Sequence, residues 1–308
     1  ALLGQAYYQK KDYIRSRKSI EEGIRIAEEV EDYRPKEQWY VLLAACLYEL
    51  KETKVISELY ALEQQVLIYE ILVNYYPKKS YFIQLGGTYA QMEREKDYML
   101  VLKAAYEKDL LDKESEYLAL AQMLLLNKNP YWAAQVLVAG QNKKITIKDE
   151  KTGKEEAFPV VKDTEKNLKL LADSWRMAQE INKAIPVLER AAKMSKDGDL
   201  YVLLGNLYLF EDRMEDSIRA IEMGLKKPKV KSRSQAQLVL GQAHFELENF
   251  EEAKKQFRAA ARDKDKRTKK TANSWIKYAE NEAIRVKNLA LRRDFIEKAA
   301  AKAQKKNS

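Results

Sequence analysis

The chain has 308 residues, of which 46% are hydrophobic and 33% charged, with ten glycines, six prolines and a formal net charge of +9. That is the composition of a soluble, mainly helical protein. No uninterrupted apolar run reaches bilayer length, which excludes a membrane-spanning helix. The single cysteine, Cys46, excludes an intramolecular disulfide, and the single histidine, His244, leaves no ligand pair for a histidine-based metal site.

In chain order, a first helical pair runs from Ala1 to about Val30, with Lys10-Lys11-Asp12 as its turn. Ala1-Leu2-Leu3-Gly4 already reads as helix interior, so the expectation is a piece of a longer protein. Arg34-Pro35 then punctuates the chain, because a proline disfavours helical geometry in the residue before it. A second pair spans Lys36 to Tyr76, with Ala45 as its small residue and Tyr48 three on. Its long second helix, Val55 to Tyr76, carries a stripe of Ile56, Leu59, Leu62, Val66, Tyr69 and Val73. The third pair starts at Ser80, places Tyr89 three after Gly86, and ends near Leu111. The fourth has a first helix from Glu114 to Leu126, a turn at Asn127-Lys128-Asn129-Pro130, and a second helix predicted to stop at Gly140.

From Gln141 to Lys162 the helical period gives way to alternation at Ile145 and Ile147. A turn-like Lys151-Thr152-Gly153-Lys154 and the apolar Phe158-Pro159-Val160-Val161 follow. This predicts an inserted β-hairpin or irregular loop. Pairs five to seven occupy about Asp163 to Lys196, Asp199 to Lys227 and Ser232 to Asp263. Thr271 to Lys287 reads as a single capping helix, and Asn288 to Ser308 either extends it or is disordered. Arg262 to Ser308 holds 15 Lys plus Arg and 6 Asp plus Glu, so this end carries the whole positive excess and the rest is neutral. The chain thus divides into irregular repeats at 1–140, an insert at 141–162, regular repeats at 163–263, and a cap with a basic tail at 264–308.

One spacing unites the pairs. Gly4, Ala172, Gly205 and Gly241 are followed three residues on by Tyr7, Trp175, Tyr208 and His244. Twelve on stand Ser16, Ala184, Ser217 and Ala253; sixteen on, Ile20, Leu188, Ile221 and Phe257; nineteen on, Gly23, Ala191, Gly224 and Ala260. Two antiparallel helices approach closely only where one presents a small residue, and a glycine inside a helix costs about 1 kcal/mol against alanine, so packing must offset it. No pair of this kind buries its stripe alone, whereas stacked pairs do.

Leu171-Ala172 with Trp175, Leu204-Gly205 with Tyr208, Leu240-Gly241 with His244, and the helix-ending Ala191, Gly224 and Ala260 resemble tetratricopeptide repeats. The resemblance covers nearly all of the chain except the insert and the tail; the fourth pair departs from it by lacking the aromatic. It implies an all-α fold, a right-handed superhelix of about seven hairpins with a C-terminal capping helix. The implied function is a non-catalytic scaffold that binds a peptide or protein in a concave groove. The irregular first half, the long helix, the insert and the regular second half are also similar to tetratricopeptide proteins associated with bacterial TonB-type transport systems. That similarity implies a periplasmic protein partnering an energy-transducing complex; a cytoplasmic protein is the alternative.

By the same resemblance, groove-facing positions are Lys169, Asp173, Arg176 and Met177 in the fifth pair. In the sixth they are Val202, Asn206, Leu209 and Phe210, and in the seventh Leu238, Gln242, Phe245 and Glu246. Phe210 and Phe245 are equivalent, one repeat apart, and suit a peptide with apolar anchors. Asp173, Asp199 and Val202 stand where carboxylate-gripping repeats carry Lys or Asn, which disfavours recognition of a C-terminal carboxylate. No phosphate-binding glycine loop is present, and His244 substitutes for an aromatic packing residue, so no catalytic, cofactor or metal site is expected. The alternative function is nucleic-acid or anionic-membrane association through the basic tail; its few aromatics, Trp275, Tyr278 and Phe295, argue against specific RNA reading.

Overall fold

The computed structural model describes residues 1–30, 33–148 and 155–307. Among them are 15 α-helices and one two-stranded antiparallel sheet, and the chain divides into two compact units, Ala1–Lys162 and Asp163–Ser308. The first unit contains the hairpins α1 (Leu2–Gln9) with α2 (Tyr13–Glu28), α3 (Glu37–Glu52) with α4 (Glu58–Tyr75), α5 (Lys79–Gln91) with α6 (Glu95–Glu107), and α7 (Glu114–Leu126) with α8 (Pro130–Asn142). Strands β1 (Lys144–Lys148) and β2 (Glu155–Pro159) follow. The second unit contains α9 (Glu165–Met177) with α10 (Ile181–Met194), α11 (Asp199–Phe210) with α12 (Met214–Lys226), and α13 (Arg233–Glu246) with α14 (Phe250–Ala260). A single helix, α15 (Lys266–Asn307), ends it.

The small residues close the hairpins. A Cβ on Gly205 would stand 2.3 Å from Ile221 Cγ1, one on Gly4 2.5 Å from Ile20 Cγ1, and one on Gly241 2.5 Å from Phe257 Cε1. The residue sixteen positions on therefore lies against the bare backbone. Where the twelfth position is serine, its hydroxyl donates to the glycine carbonyl: Ser16 to Gly4 at 2.8 Å and Ser217 to Gly205 at 2.7 Å. Ile20, Ile221 and Phe257 are fully buried, each such side chain stabilising the fold by about 1.5–3 kcal/mol.

The turns inside the hairpins repeat as closely. Lys11, Lys54, Glu93, Lys128, Gln179, Asp212 and Glu248 all adopt left-handed backbone, with φ between 55° and 63°. The next N–H reaches back over the helix end, as Asp12 to Tyr7 O at 3.0 Å and Arg213 to Tyr208 O at 2.8 Å. This closes the first helix and satisfies a carbonyl that would otherwise lack a partner.

That turn corrects two readings of the sequence. In the second hairpin the left-handed Lys54 stands seven after Leu47, not after Ala45. Leu47 and Leu50 are 1% and 3% exposed, whereas Tyr48 is 51% exposed. Two extra turn residues then shift the following helix, so Ala61 takes the small position, Ser57 caps Tyr60 N–H, and Leu59 of the expected stripe is exposed. In the fourth hairpin Ala121, Leu124, Ala133, Leu137 and Gly140 are all buried at the common spacing. Gly140 is not a helix stop: α8 continues to Asn142, and a Cβ there would meet Val161 and Tyr117 within 2.8 Å.

The other elements lie close to expectation. The third hairpin's second helix ends at Glu107, with Leu111 buried in the connection beyond it. The insert is a hairpin pairing Ile145 with Phe158; its expected turn, Lys151-Thr152-Gly153-Lys154, lies outside the described residues. Its base is fixed by Val161 N–H to Gly140 O at 2.9 Å and by the Lys143 ammonium on Asp109 and Leu111 O. Cys46 is fully buried, with its sulfur 3.1 Å from Ser16 Oγ, and burial raises its pKa. The residues after Asn288 extend the terminal helix.

Candidate partner-binding surfaces

In the second unit the predicted groove residues part into three groups. Lys169, Asp173 and Arg176 come together on α9: the Asp173 carboxylate accepts from Lys169 at 2.5 Å and from Arg176 at 3.5 Å. Both bonds come from the same helix face, and the cations remain about half exposed, so the cluster contributes little to stability. Met177 and Phe210 stand free, 50% and 70% exposed. Asn206 donates its amide to Val202 O at 2.9 Å, while Gln242 is half-buried and Glu246 exposed.

The remaining positions are packing residues. Leu238 is 4% exposed within the core formed with Phe257 and Ala272, and Val202 and Leu209 pack on the Ile221, Val239 and Leu240 cluster. Phe245 differs from Phe210 despite their equal place in the repeat. Its ring lies 5.1 Å from Tyr278, stacked, and 5.6 Å from Trp275, edge-on. Helix α15 supplies both of those rings, so of the two equivalent phenylalanines Phe210 is the open one.

The aromatic position three after the small residue has its own electrostatics. Tyr89 donates to Glu70 at 2.6 Å and Tyr208 donates to Glu189. Burial first, then these carboxylates, push both phenols up to about 12. Arg94 and Arg213 lie over the same rings at 4.6 and 4.5 Å. At the equivalent His244, Nδ1 is buried without a partner, and burial lowers the pKa, as expected for a residue substituting in a packing position.

The first unit holds a surface that the sequence reading did not locate. A cleft of about 870 Å³ is lined by α1, α3 and α5, including Gln5, Tyr8, Trp39, Val41, Ala45 and Tyr81. Tyr8, Val41 and Ala45 also line a second cleft of about 410 Å³ that continues past Tyr48, Tyr69, Gln84, Thr88 and Gln91. At one end Glu37 accepts from Lys78 at 2.6 Å and from Tyr81. Lys78, then Tyr81, holds its carboxyl below the usual range. At the other, the Lys51 ammonium lies over the Tyr48 ring at 5.1 Å. Exposed amides among aromatic rings suit a peptide, giving hydrogen bonds beside apolar contacts. The available signal was the exposed Val41 and Tyr48, obscured by assigning Tyr48 to the packing position.

Among the described residues, no group of three His, Cys, Asp or Glu side chains is placed to hold a metal ion, and no helix is long and apolar enough to cross a membrane.

Helical hairpins repeating one closing contact and one turn define an α-helical repeat protein. Two of the hairpins match the tetratricopeptide repeat: that family's sequence profile matches residues 1–30 and 234–262, the hairpins built on Gly4 and Gly241. No curated protein matches the chain. Among solved structures it is similar to MamA, with 18% identity over 59% of this chain and 89% of that one and a TM-score of 0.44. It is also similar to a tetratricopeptide repeat protein from Parabacteroides merdae ATCC 43184, with 12% identity over 90% and 96% and a TM-score of 0.34. The APC/C hetero-tetramer Cut9-Hcn1 shares 14% identity over 83% and 44%, with a TM-score of 0.34.

Proposed function

We propose that the protein is a non-catalytic scaffold that holds a peptide or protein partner on the first helices of its hairpins. The observation that carries this reading is the pair of clefts sharing Tyr8, Val41 and Ala45, which run across α1, α3 and α5. Tetratricopeptide repeats at both ends of the chain support it, since helical repeats present extended binding surfaces. In the second unit the exposed Phe210 and Met177 and the half-buried Asn206 and Gln242 offer the matching contacts; Phe245 and Leu238 serve the core instead.

Site-specific photocrosslinking tests the reading. A photoreactive residue at Tyr48 or Phe210 is expected to form a discrete adduct with a cellular protein, whereas one at the exposed Leu126 gives none. Adducts at Leu126 alone would remove the clefts from consideration. We further propose a periplasmic location beside a TonB-type energy-transducing complex, supported by the pattern of irregular first half, insert and regular second half. Release of the native protein by osmotic shock is the expected result; retention with cytoplasmic markers would overturn that location.

A further inference from the structure

The terminal helix α15 has two opposite sides of different chemistry. Ala272 and Ala279 are fully buried and with the half-buried Trp275 dock the helix on the preceding hairpin; Ala283 and Val286 continue the same stripe, half-buried. Steps of four and seven place Lys266, Lys270, Lys277, Ile284, Leu291 and Phe295 together on the opposite side. All six are exposed, and Ile284, Leu291 and Phe295 are 59%, 59% and 74% so. At its N-terminal end this side forms a shallow depression lined by Lys266, Lys269, Lys270 and Lys277 with Asn273 and Ser274.

Of the acidic residues of the helix, Glu280 borders that side, three after Lys277 and four before Ile284, whereas Glu282, Asp294 and Glu297 lie outside it. Glu280 reaches Arg258 of α14 at 3.9 Å, Glu282 binds Arg285, and Asp294 binds Lys298 at 2.7 Å. What remains toward solvent is a row of lysines, bordered by the one carboxylate that Arg258 engages, that continues into three large apolar side chains.

We propose that this side of α15 is a docking surface for an anionic lipid bilayer, the helix lying in the plane of the headgroups. The lysines meet lipid phosphates, and Ile284, Leu291 and Phe295 enter the acyl boundary. From Lys266 to Phe295 the helix is about 44 Å long, so both contacts are made at once by one rigid element. The apolar half favours lipid over nucleic acid: a phosphate backbone rewards the lysines equally but gives exposed aliphatic side chains nothing to bury. This surface shares no residue with the partner-binding clefts.

Co-sedimentation of the intact protein with vesicles tests the proposal. Binding to phosphatidylglycerol-rich vesicles and none to pure phosphatidylcholine is expected. The triple variant K269E/K270E/K277E should bind about 100-fold more weakly, and Leu291→Ser with Phe295→Ser should lose about tenfold or more. All five side chains are exposed, so the thermal midpoint, measured on each variant, should not move. Equal binding to both vesicle types would overturn the proposal, as would full binding by the serine variant. So would capture of a double-stranded DNA oligomer without capture of vesicles, which would assign the lysine row to nucleic acid.

Discussion

A glycine in this protein is kept or dispensable according to what lies opposite its missing side chain. Gly205 has Ile221 Cγ1 2.3 Å from where a Cβ would stand, whereas Gly87, the residue after the buried Gly86, has nothing within 4 Å. Gly87→Ala should therefore gain about 1 kcal/mol of helix propensity, while Gly205→Ala should lose about 1–2 kcal/mol despite the same gain, because Ile221 must shift. Denaturant unfolding of the two variants checks the contrast. His244 makes a second residue-scale prediction. Burial lowers its pKa, so the unfolded chain takes up the proton first and stability falls as pH drops below about 6.5. Glu222 stands seventeen after Gly205, as Glu189 stands seventeen after Ala172. In His244→Tyr the new hydroxyl is thus expected to donate to Glu222 as Tyr208 does to Glu189. The variant should be about 1 kcal/mol more stable and should lose that pH slope, measured by unfolding at about pH 5.5 and 8.

Each hairpin turn places a left-handed residue seven after the small residue, yet these residues are Lys, Glu, Gln and Asp and never Gly. Left-handed backbone costs an L-residue about 1–2 kcal/mol, of which glycine's greater unfolded freedom would return part. Gln179→Gly is thus expected to raise stability by about 0.5–1 kcal/mol, read as a higher denaturant midpoint with an unchanged slope. The same turns explain what was legible in the sequence. Where the small position is Gly or Ala and its turn has the common length, as at Ala172, Gly205 and Gly241, pattern and structure coincide. In the second hairpin the small position is Leu47 and the turn is two residues longer, so the nearby Ala45 and Tyr48 imitated the pattern on the wrong face. In the fourth, Ala121 and Leu124 keep the spacing without an aromatic, and a reading that waited for the ring passed over it. The clefts on α1, α3 and α5 were hidden by the same slip. Phe245 was misplaced because its cover, Trp275 and Tyr278, comes from a helix outside the repeat.

At the scale of the molecule, the last hairpin depends on the first part of α15 and not on the rest. Phe257 is fully buried and stacks on Trp275 at 5.4 Å, whereas residues 288–301 are exposed on every side. Truncation after Lys287 should leave the thermal midpoint unchanged while reducing the helical signal. Truncation after Ala272 should cost about 3–5 kcal/mol, as a large core side chain loses its cover. The Cys46 thiol, sealed between Ser16 and the core of α2 and α3, gives the chain an internal clock. A disulfide reagent reaches it only when those helices part, and no second sulfhydryl competes. The labelling rate under native conditions therefore times the opening of the first unit alone, a breathing motion that spectroscopy of the whole chain averages away.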